Sequence, residues 1–313
     1  FHKIIKAHEN ETKKLILHNL ISGNEISEGV RKEVLEIFPY SHFIVAVLAV
    51  DNSRSYVSET THDMRKFHRY TLFTVVSETF SNGHIVQCVR YNTSMAAIIF
   101  NIKEYDSAEV QNRLREGLKV VANEAKRIMG YSVTIGVGKV HTDYNKIADC
   151  TNEALQAVNQ RLIKGKSNIL FWSPRETQNY IYYSCYDSEK KIMNYLETCD
   201  FDSLRKELEA LVIHMKKTEN ISNDNILMVF NQLIGSTIKY MVEHNLDTNS
   251  LLGMNESIYS IIANLDTLDD IKSYLLKVYQ SIIEYTSANQ ENGENNYCEQ
   301  FMRYLKDHYK EEL

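Results

Sequence analysis

The stretch Arg90-Tyr91-Asn92-Thr93-Ser94-Met95-Ala96-Ala97-Ile98-Ile99-Phe100 carries the most information about the fold of this chain. Polar residues at 91–94 separate two apolar runs of strand length, 84–90 and 95–102. Two such runs joined by a short polar turn are typical of a β-hairpin. We therefore predict two strands that meet at this turn.

Three segments outside the hairpin also have strand character. Residues 43–50 form an uninterrupted apolar run, which predicts a strand buried on both faces. Residues 132–140 are rich in β-branched side chains, and residues 169–172 form a short final apolar segment. The sequence thus predicts five strands.

Helical patterns fill the intervals between these strands. We expect helices over about residues 62–80, 107–129 and 144–163, the second beginning at Ser107 and ending before Gly130. The resulting order is β-α-β-β-α-β-α-β. It predicts an α+β fold with a ferredoxin-like core, extended by one helix and one strand in a mixed sheet.

Two helices are expected before this core. Residues 2–22 have a helical pattern that ends at Gly23, and residues 28–37 form a shorter helix.

The chain after Asp187 has only helical patterns. A capping box, Thr267 to Asp270, predicts the start of one helix. Residues 286–296 are polar and predict a linker, and residues 297–309 predict a last helix. Three amphipathic faces are expected to be buried: Leu204, Leu208, Leu211, Val212 and Met215; Ile226, Val229, Phe230, Leu233, Thr237, Tyr240 and Met241; and Leu268, Ile271, Leu275, Val278 and Ile282.

Length, charge and cysteine content limit the class of protein. With 313 residues the chain is long enough for roughly two domains. Its net charge of −6 argues against a DNA-binding surface in this segment. The longest apolar run is far shorter than the ~20 residues of a transmembrane helix. Five scattered cysteines favour reduced thiols in a cytoplasmic setting. Because the chain starts at Phe1 and stops at Leu313, we expect a segment of a longer protein.

Common catalytic and metal-binding motifs are missing from the sequence. No histidine pair has i,i+4 spacing and no Gly-x-Ser-x-Gly is present, so we predict neither a metal site nor catalytic residues. Gly165-Lys166-Ser167 lacks the earlier glycine of a phosphate-binding loop, because Gln160 stands there, and it predicts a helix-to-strand turn. Gly136 and Gly138 predict close packing of a helix on a strand.

Cys88 and Cys150 are expected to be small core residues. An aromatic cluster of Tyr180, Tyr182, Tyr183 and Tyr186 is expected to pack between domains more readily than to line a pocket.

The hairpin resembles the Arg-Tyr-Gly-Gly-Asp-Glu-Phe hairpin of diguanylate cyclases, the GGDEF family. In this chain the signature reads Asn92, Thr93, Ser94, Met95 and Ala96, so both glycines and both carboxylates are replaced. A thioether is a poor ligand for Mg²⁺, which prefers hard oxygen atoms. The resemblance implies that the fold is kept and the cyclase chemistry is lost.

The first predicted strand supports the same resemblance. Leu48-Ala49-Val50-Asp51-Asn52 resembles the Leu-Asp-Ile-Asp-His that ends the first strand of cyclases. The resemblance assigns the first aspartate of that motif to the metal, and here that position is Ala49, whereas Asp51 matches the second. Val57 stands where the resemblance implies a guanine-reading asparagine.

The later part of this domain resembles the family as well. Ser132–Gly138 resembles the Thr-Val-Ser-Ile-Gly-Val-Ala strand, and Glu153–Ala157 followed by Gly165–Ile169 resembles the closing helix and its Gly-Lys-Asn-Arg-Ile exit. The longer spacing between the last two blocks is similar to that of the degenerate GGDEF-like domain in large AraC-type transcription regulators of Gram-positive bacteria.

The remaining chain resembles the same regulators. Residues 187–285 resemble their all-helical segment, and residues 297–313 resemble the first helix of their DNA-binding domain. Leu15–Gly23, followed by Glu25–Ile37, resembles the segment that precedes the GGDEF-like domain in membrane-anchored members.

The resemblance implies four segments. Residues 1–40 are expected to be a signalling helix with its connection, 41–175 a degenerate GGDEF-like domain, 186–288 an all-helical domain, and 289–313 a linker with the start of an AraC-type DNA-binding domain.

The implied function is a non-catalytic relay without a cofactor, within a cytoplasmic or membrane-anchored transcription regulator. The expected partners are DNA, through a C-terminal helix-turn-helix domain outside this segment, a second copy of the chain, and an upstream membrane sensor or receiver domain. Two alternatives stay open. One is a cytosolic sensor that binds a nucleotide or sugar in the remnant of the cyclase cleft, and the other is an enzyme, either a divergent cyclase or a cyclic-dinucleotide hydrolase.

Overall fold

The structure is a computed structural model that describes the backbone of residues 2–81, 84–103, 105, 107–174, 184–218, 221–247 and 257–308. Side chains are described for the same residues except 2–10, 84, 107 and 289–308. The chain divides into two compact units, residues 1–178 and 179–313.

A five-stranded sheet forms the centre of the first unit. Its strands lie in the order β2-β3-β1-β4-β5, and all neighbours are antiparallel except the parallel pair β4 and β5. This order is that of a ferredoxin-like sheet with one added edge strand, so the predicted α+β fold and the mixed sheet are confirmed. The strands are β1 (His42–Val50), β2 (His84–Arg90), β3 (Met95–Ile102), β4 (Val133–Val137) and β5 (Ile169–Phe171).

Seven helices accompany this sheet in the described part of the first unit. Two short 3₁₀ turns, Glu28–Val30 and Tyr144–Lys146, lead into α2 and α6. The helices are α1 (His2–Ser22), α2 (Arg31–Ile37), α3 (Ser53–Glu59), α4 (His62–Thr79), α5 (Ser107–Met129), α6 (Ile147–Asn159) and α7 (Arg161–Lys164).

Strand β1 is buried on both faces, as its sequence predicts. Because side chains alternate along a strand, Ile44 and Leu48 face one core, which is completed by α4 and α5. Val45 and Val47 face the other core, which is completed by α1, α2 and α6. The end of β1 is therefore enclosed by helices from both sides.

Three local details differ from the sequence-based expectation. Helix α3 was not predicted, because Tyr56 is its one buried residue and a single apolar side chain gives no periodic signal. Strand β4 ends at Val137, since the chain turns at Gly138 against the backbone of Cys150. The helix predicted over 144–163 is divided into a 3₁₀ turn, α6 and α7.

The regular secondary structure of the second unit, within its described residues, is entirely helical. All members of the three predicted apolar faces are buried. The predicted capping box is also confirmed, because the Thr267 N–H donates to Asp270 Oδ2 and the Asp270 N–H donates to Thr267 Oγ1, each at 3.1 Å. The helices are α8 (Tyr186–Glu197), α9 (Phe201–Lys217), α10 (Asn223–Glu243), α11 (Ile258–Ala263) and α12 (Leu268–His308).

The polar linker predicted at 286–296 is wrong, because α12 runs through it as one helix of 41 residues. The predicted helix 297–309 is the end of α12, and Tyr309 lies outside the described residues. The stretch contains no proline, and its single glycine, Gly293, costs a helix only about 1 kcal/mol relative to alanine. Polarity alone was therefore a poor indicator of a break.

Among the described residues, no helix is both long and apolar enough to cross a membrane.

Gly136 and Gly138 allow α6 to pack directly on β4, as predicted. A Cβ atom at Gly136 would lie 2.1 Å from the carbonyl oxygen of Ala154, and one at Gly138 would lie 2.5 Å from that of Cys150. These neighbours are backbone atoms, which cannot rotate away. The contact between sheet and helix therefore depends on the absence of side chains at both positions.

We expect Gly136→Ala to lower the free energy of unfolding of the first unit by about 3 kcal/mol, the upper part of the range for overpacked cores. Urea unfolding followed by the fluorescence of Trp172, the single tryptophan and a residue of this unit, measures it. Gly29→Ala is the matched control, because nothing lies within 4 Å of its added Cβ. Equal midpoints for the two variants would contradict the packing account.

Candidate functional site

The turn between β2 and β3 is held by its own backbone and by the end of β1. The N–H groups of Tyr91 and Asn92 donate to the carbonyl oxygen of Met95 at 3.1 and 3.2 Å, and the Ser94 N–H donates to Asn92 Oδ1 at 2.9 Å. The Val50 N–H donates to the carbonyl oxygen of Ser94 at 2.9 Å. The predicted hairpin is confirmed, and its turn lies beside the residues that follow β1.

Ala49 and Met95 are direct partners in the register of β1 and β3. Ala49 is fully buried and Met95 is partly exposed. These are the two positions to which the family resemblance assigns metal-binding carboxylates. The register places the two positions side by side, but a methyl group and a thioether offer no hard oxygen ligand.

Asp51 lies two residues further along and is fully buried. Its Oδ1 accepts from Thr134 Oγ1 at 2.7 Å, and its Oδ2 accepts from Ser132 Oγ at 2.7 Å and from the Ser167 N–H at 3.0 Å. Arg161 Nη1 lies 3.5 Å from Oδ1. Both oxygens are therefore occupied in joining β1, β4 and the turn before β5, which is a structural role.

The Gly165-Lys166-Ser167 segment is the helix-to-strand turn that the sequence predicts. Gly165 and Ser167 have φ angles of 87° and 61°, in the left-handed region. The turn directs the Ser167 N–H toward Asp51, and Lys166 Nζ donates to Asn52 Oδ1 at 2.6 Å. Its polar groups contact protein atoms, as in a structural turn.

The space beside the hairpin, which we call the hairpin cavity, is small. It has a volume of about 30 Å³ and is bordered by residues 92–96 together with Tyr56, Arg65, Arg69 and Met129. Arg65 donates to the carbonyl oxygen of Val57 at 2.9 Å, which helps to close one side. Ligand pockets usually enclose about 300–1,000 Å³, so the cavity is small for a nucleotide or sugar site.

Spacing in the sequence gave no sign of a second polar cluster, formed by His141, Cys150 and Glu153. His141 Nε2 lies 3.2 Å from Glu153 Oε2, and Cys150 Sγ accepts from the Val45 N–H at 3.0 Å and donates to the Lys139 carbonyl at 3.1 Å. Burial raises the pKa of the Cys150 thiol to about 12.

The contacts of this cluster indicate a structural role. Lys139 donates its N–H to Glu153 at 3.0 Å and places its ammonium group 3.3 Å from the same carboxylate. A neighbouring ammonium and a protonated thiol both disfavour a metal cation. The contacts explain why the chain after β4 is fixed against α6.

The cysteine and tyrosine predictions have mixed outcomes. Cys150 is a core residue as predicted, whereas Cys88 is only partly buried because it lies on the edge strand β2. Tyr186 is 65% exposed, and Tyr180, Tyr182 and Tyr183 lie outside the described residues. The four described cysteines, 88, 150, 185 and 199, are free thiols.

We expect Asp51→Ala to lower the free energy of unfolding of the first unit by about 3–5 kcal/mol, because Arg161 and three donors lose a buried partner. Trp172 fluorescence during urea unfolding provides the measurement. The control is Asp149→Ala, which removes an exposed carboxylate paired with Lys146 and should change stability little. Similar losses in the two variants would rule out the structural role of Asp51.

No protein-family profile matches the chain, and no curated protein sequence matches it. Among solved structures it is similar to the active GGEEF domain of a diguanylate cyclase from Vibrio cholerae, at 15% identity and a TM-score of 0.32, over 47% of this chain and 90% of that one. It is also similar to the GGDEF domain of DgcB from Caulobacter crescentus, at 13% identity and a TM-score of 0.33, over 42% and 77% of the two chains. A third similar structure is the FimX GGDEF domain from Pseudomonas aeruginosa, at 16% identity and a TM-score of 0.33, over 44% and 84%. The fold assignment itself rests on the strand order and register of the sheet.

Proposed function

We propose that the chain is the non-catalytic, signal-relaying segment of an AraC-type transcription regulator, with a GGDEF-like first unit. The main support for a non-catalytic function is the pairing of Ala49 with Met95 across β1 and β3. Cyclase chemistry needs metal-bound carboxylates at this point to hold a triphosphate and stabilise its transferring phosphoryl group. Neither side chain has an oxygen atom.

Two further observations support a loss of catalysis. Asp51, the one matching aspartate that remains, is fully buried, and both of its oxygens accept hydrogen bonds from protein donors. The hairpin cavity, at about 30 Å³, is about tenfold smaller than the lower end of typical ligand pockets. The same volume disfavours the alternative of a nucleotide or sugar sensor at this position.

The regulatory part of the proposal is supported by the continuity of α12. This helix starts at Leu268 with buried residues of the second unit and continues to His308, a length of about 60 Å at ~1.5 Å per residue. A continuous helix transmits a rotation or shift more directly than a flexible linker does. We propose α1 as the input, α12 as the output, and a homodimer as the unit whose geometry changes.

DNA binding is assigned to a C-terminal helix-turn-helix domain downstream of this segment. The tail from Tyr297 resembles the start of such a domain, and the net charge of −6 agrees with a relay that does not itself hold DNA. An upstream sensor or receiver domain would supply the signal.

We expect no product when the chain is incubated with GTP and Mg²⁺, because two metal ligands are replaced. Chromatography with mass detection measures cyclic dinucleotide and pyrophosphate, and an active diguanylate cyclase serves as the positive control. Product that forms above the background of a mock purification would contradict the non-catalytic assignment.

We expect promoter DNA from the protein's own locus to bind only a chain continued by about 100 residues of its natural downstream sequence, a usual size for a small domain. Fluorescence anisotropy across a salt series measures both chains, and affinity should fall as salt rises. Tight binding by the 313-residue chain alone, or a downstream sequence that binds no DNA, would contradict the regulator assignment.

A further inference from the structure

A groove of about 700 Å³ runs along the edge of the sheet at β2. Among the described residues, strand β2 pairs with β3 on one side and with no strand on the other. Helix α1 packs on one face of the sheet and α4 on the other, and both border the groove. We call this space the edge groove.

The floor and walls of the edge groove are largely apolar. Leu17 of α1 and Val89 of β2 are buried at its base, and Cys88 is partly buried beside them. Helix α4 contributes Phe67 and Tyr70, which are 64% and 74% exposed. Large exposed aromatic side chains grouped in a concave surface are typical of a binding site.

Cationic side chains converge on the same groove. Arg69 is partly buried, and Lys66 and Arg90, which are exposed, also line the groove. Within the described residues, no carboxylate forms an ion pair with these three cations. The one acidic lining residue, Asp63, has a side chain that is 98% exposed and pairs with His62.

Arg69 and Arg90 both line the groove and interact electrostatically. Burial lowers the pKa of Arg69, and the nearby positive charge of Arg90 lowers it further. Arg90 Nε donates to the carbonyl oxygen of Asn92 at 3.3 Å, and a bound anion would offset the repulsion between the two guanidinium groups.

We propose that the edge groove binds an amphipathic organic anion, with its apolar body against Leu17, Phe67 and Tyr70 and its charged head at Arg69 and Arg90. The volume suits a ligand of this class, and the groove is distinct from the hairpin cavity, although Arg69 borders both. Since Lys14, Leu17 and His18 come from α1, the bound ligand would fix α1 against α4. The proposal does not depend on the regulator assignment.

The test uses 8-anilinonaphthalene-1-sulfonate, an aromatic anion, and its uncharged parent N-phenyl-1-naphthylamine, both followed by fluorescence. We expect one saturable site for the anion, with a Kd about tenfold weaker in Arg69→Gln and in Arg90→Gln, the usual effect of losing a charged hydrogen bond. Binding of the uncharged parent should be unchanged in both variants. Phe67→Ser should weaken both probes.

Arg113→Gln is the matched control, because Arg113 lies on α5 and pairs with an exposed Glu109. Three results would overturn the proposal. Binding of the anion could be non-saturable, or its affinity could be equal in the arginine variants and the control. The third is a site that disappears as protein concentration rises. The last result would show that a second copy of the chain covers the groove. Circular dichroism confirms folding, and either arginine variant alone is sufficient for the test.

Discussion

The buried carboxylate of Asp51 is the interaction on which the first unit depends. A charge with no exposure to water is tolerated only when donors surround it, and here the donors come from β4 and from the turn before β5. The chain must therefore bring three distant segments together at the end of β1. This requirement involves no metal, so it persists when the neighbouring metal-binding positions are apolar.

The difference between Asp51 and Ala49 follows from their places on the strand. Ala49 faces the core formed by α1 and α6, where a carboxylate without a metal would be an uncompensated charge. Asp51 lies just past the strand, where side-chain hydroxyls and a backbone N–H reach it. Alanine at position 49 avoids such a charge, while the hydrogen bonds around Asp51 join the end of β1 to its neighbours.

Much of the fold could be predicted from the sequence, because the run 43–50 and the hairpin at 91–94 give strong local signals. The turn at Gly165 and the close packing at Gly136 followed from residue type in the same way. Helix α3 and the continuity of α12 did not, since the first has one buried residue and the second includes a polar stretch whose composition is typical of a linker. The His141 cluster joins residues that are close in the chain but have no common metal-binding spacing, and the edge groove joins residues of α1, α4 and β2 that are far apart in the chain.

We propose that the GGDEF-like fold is kept in this chain without metal binding at the hairpin. The test is nuclear magnetic resonance of ¹³C-methyl-labelled methionines, titrated with Mn²⁺ in the presence of GTP. A bound paramagnetic ion broadens nearby methyl signals. A Met95→Leu variant assigns the signal of Met95. We predict that this signal broadens no more than that of Met215, which is buried in the second unit. Selective and saturable broadening of Met95 would show that a divalent metal still binds at the hairpin, and would contradict the claim.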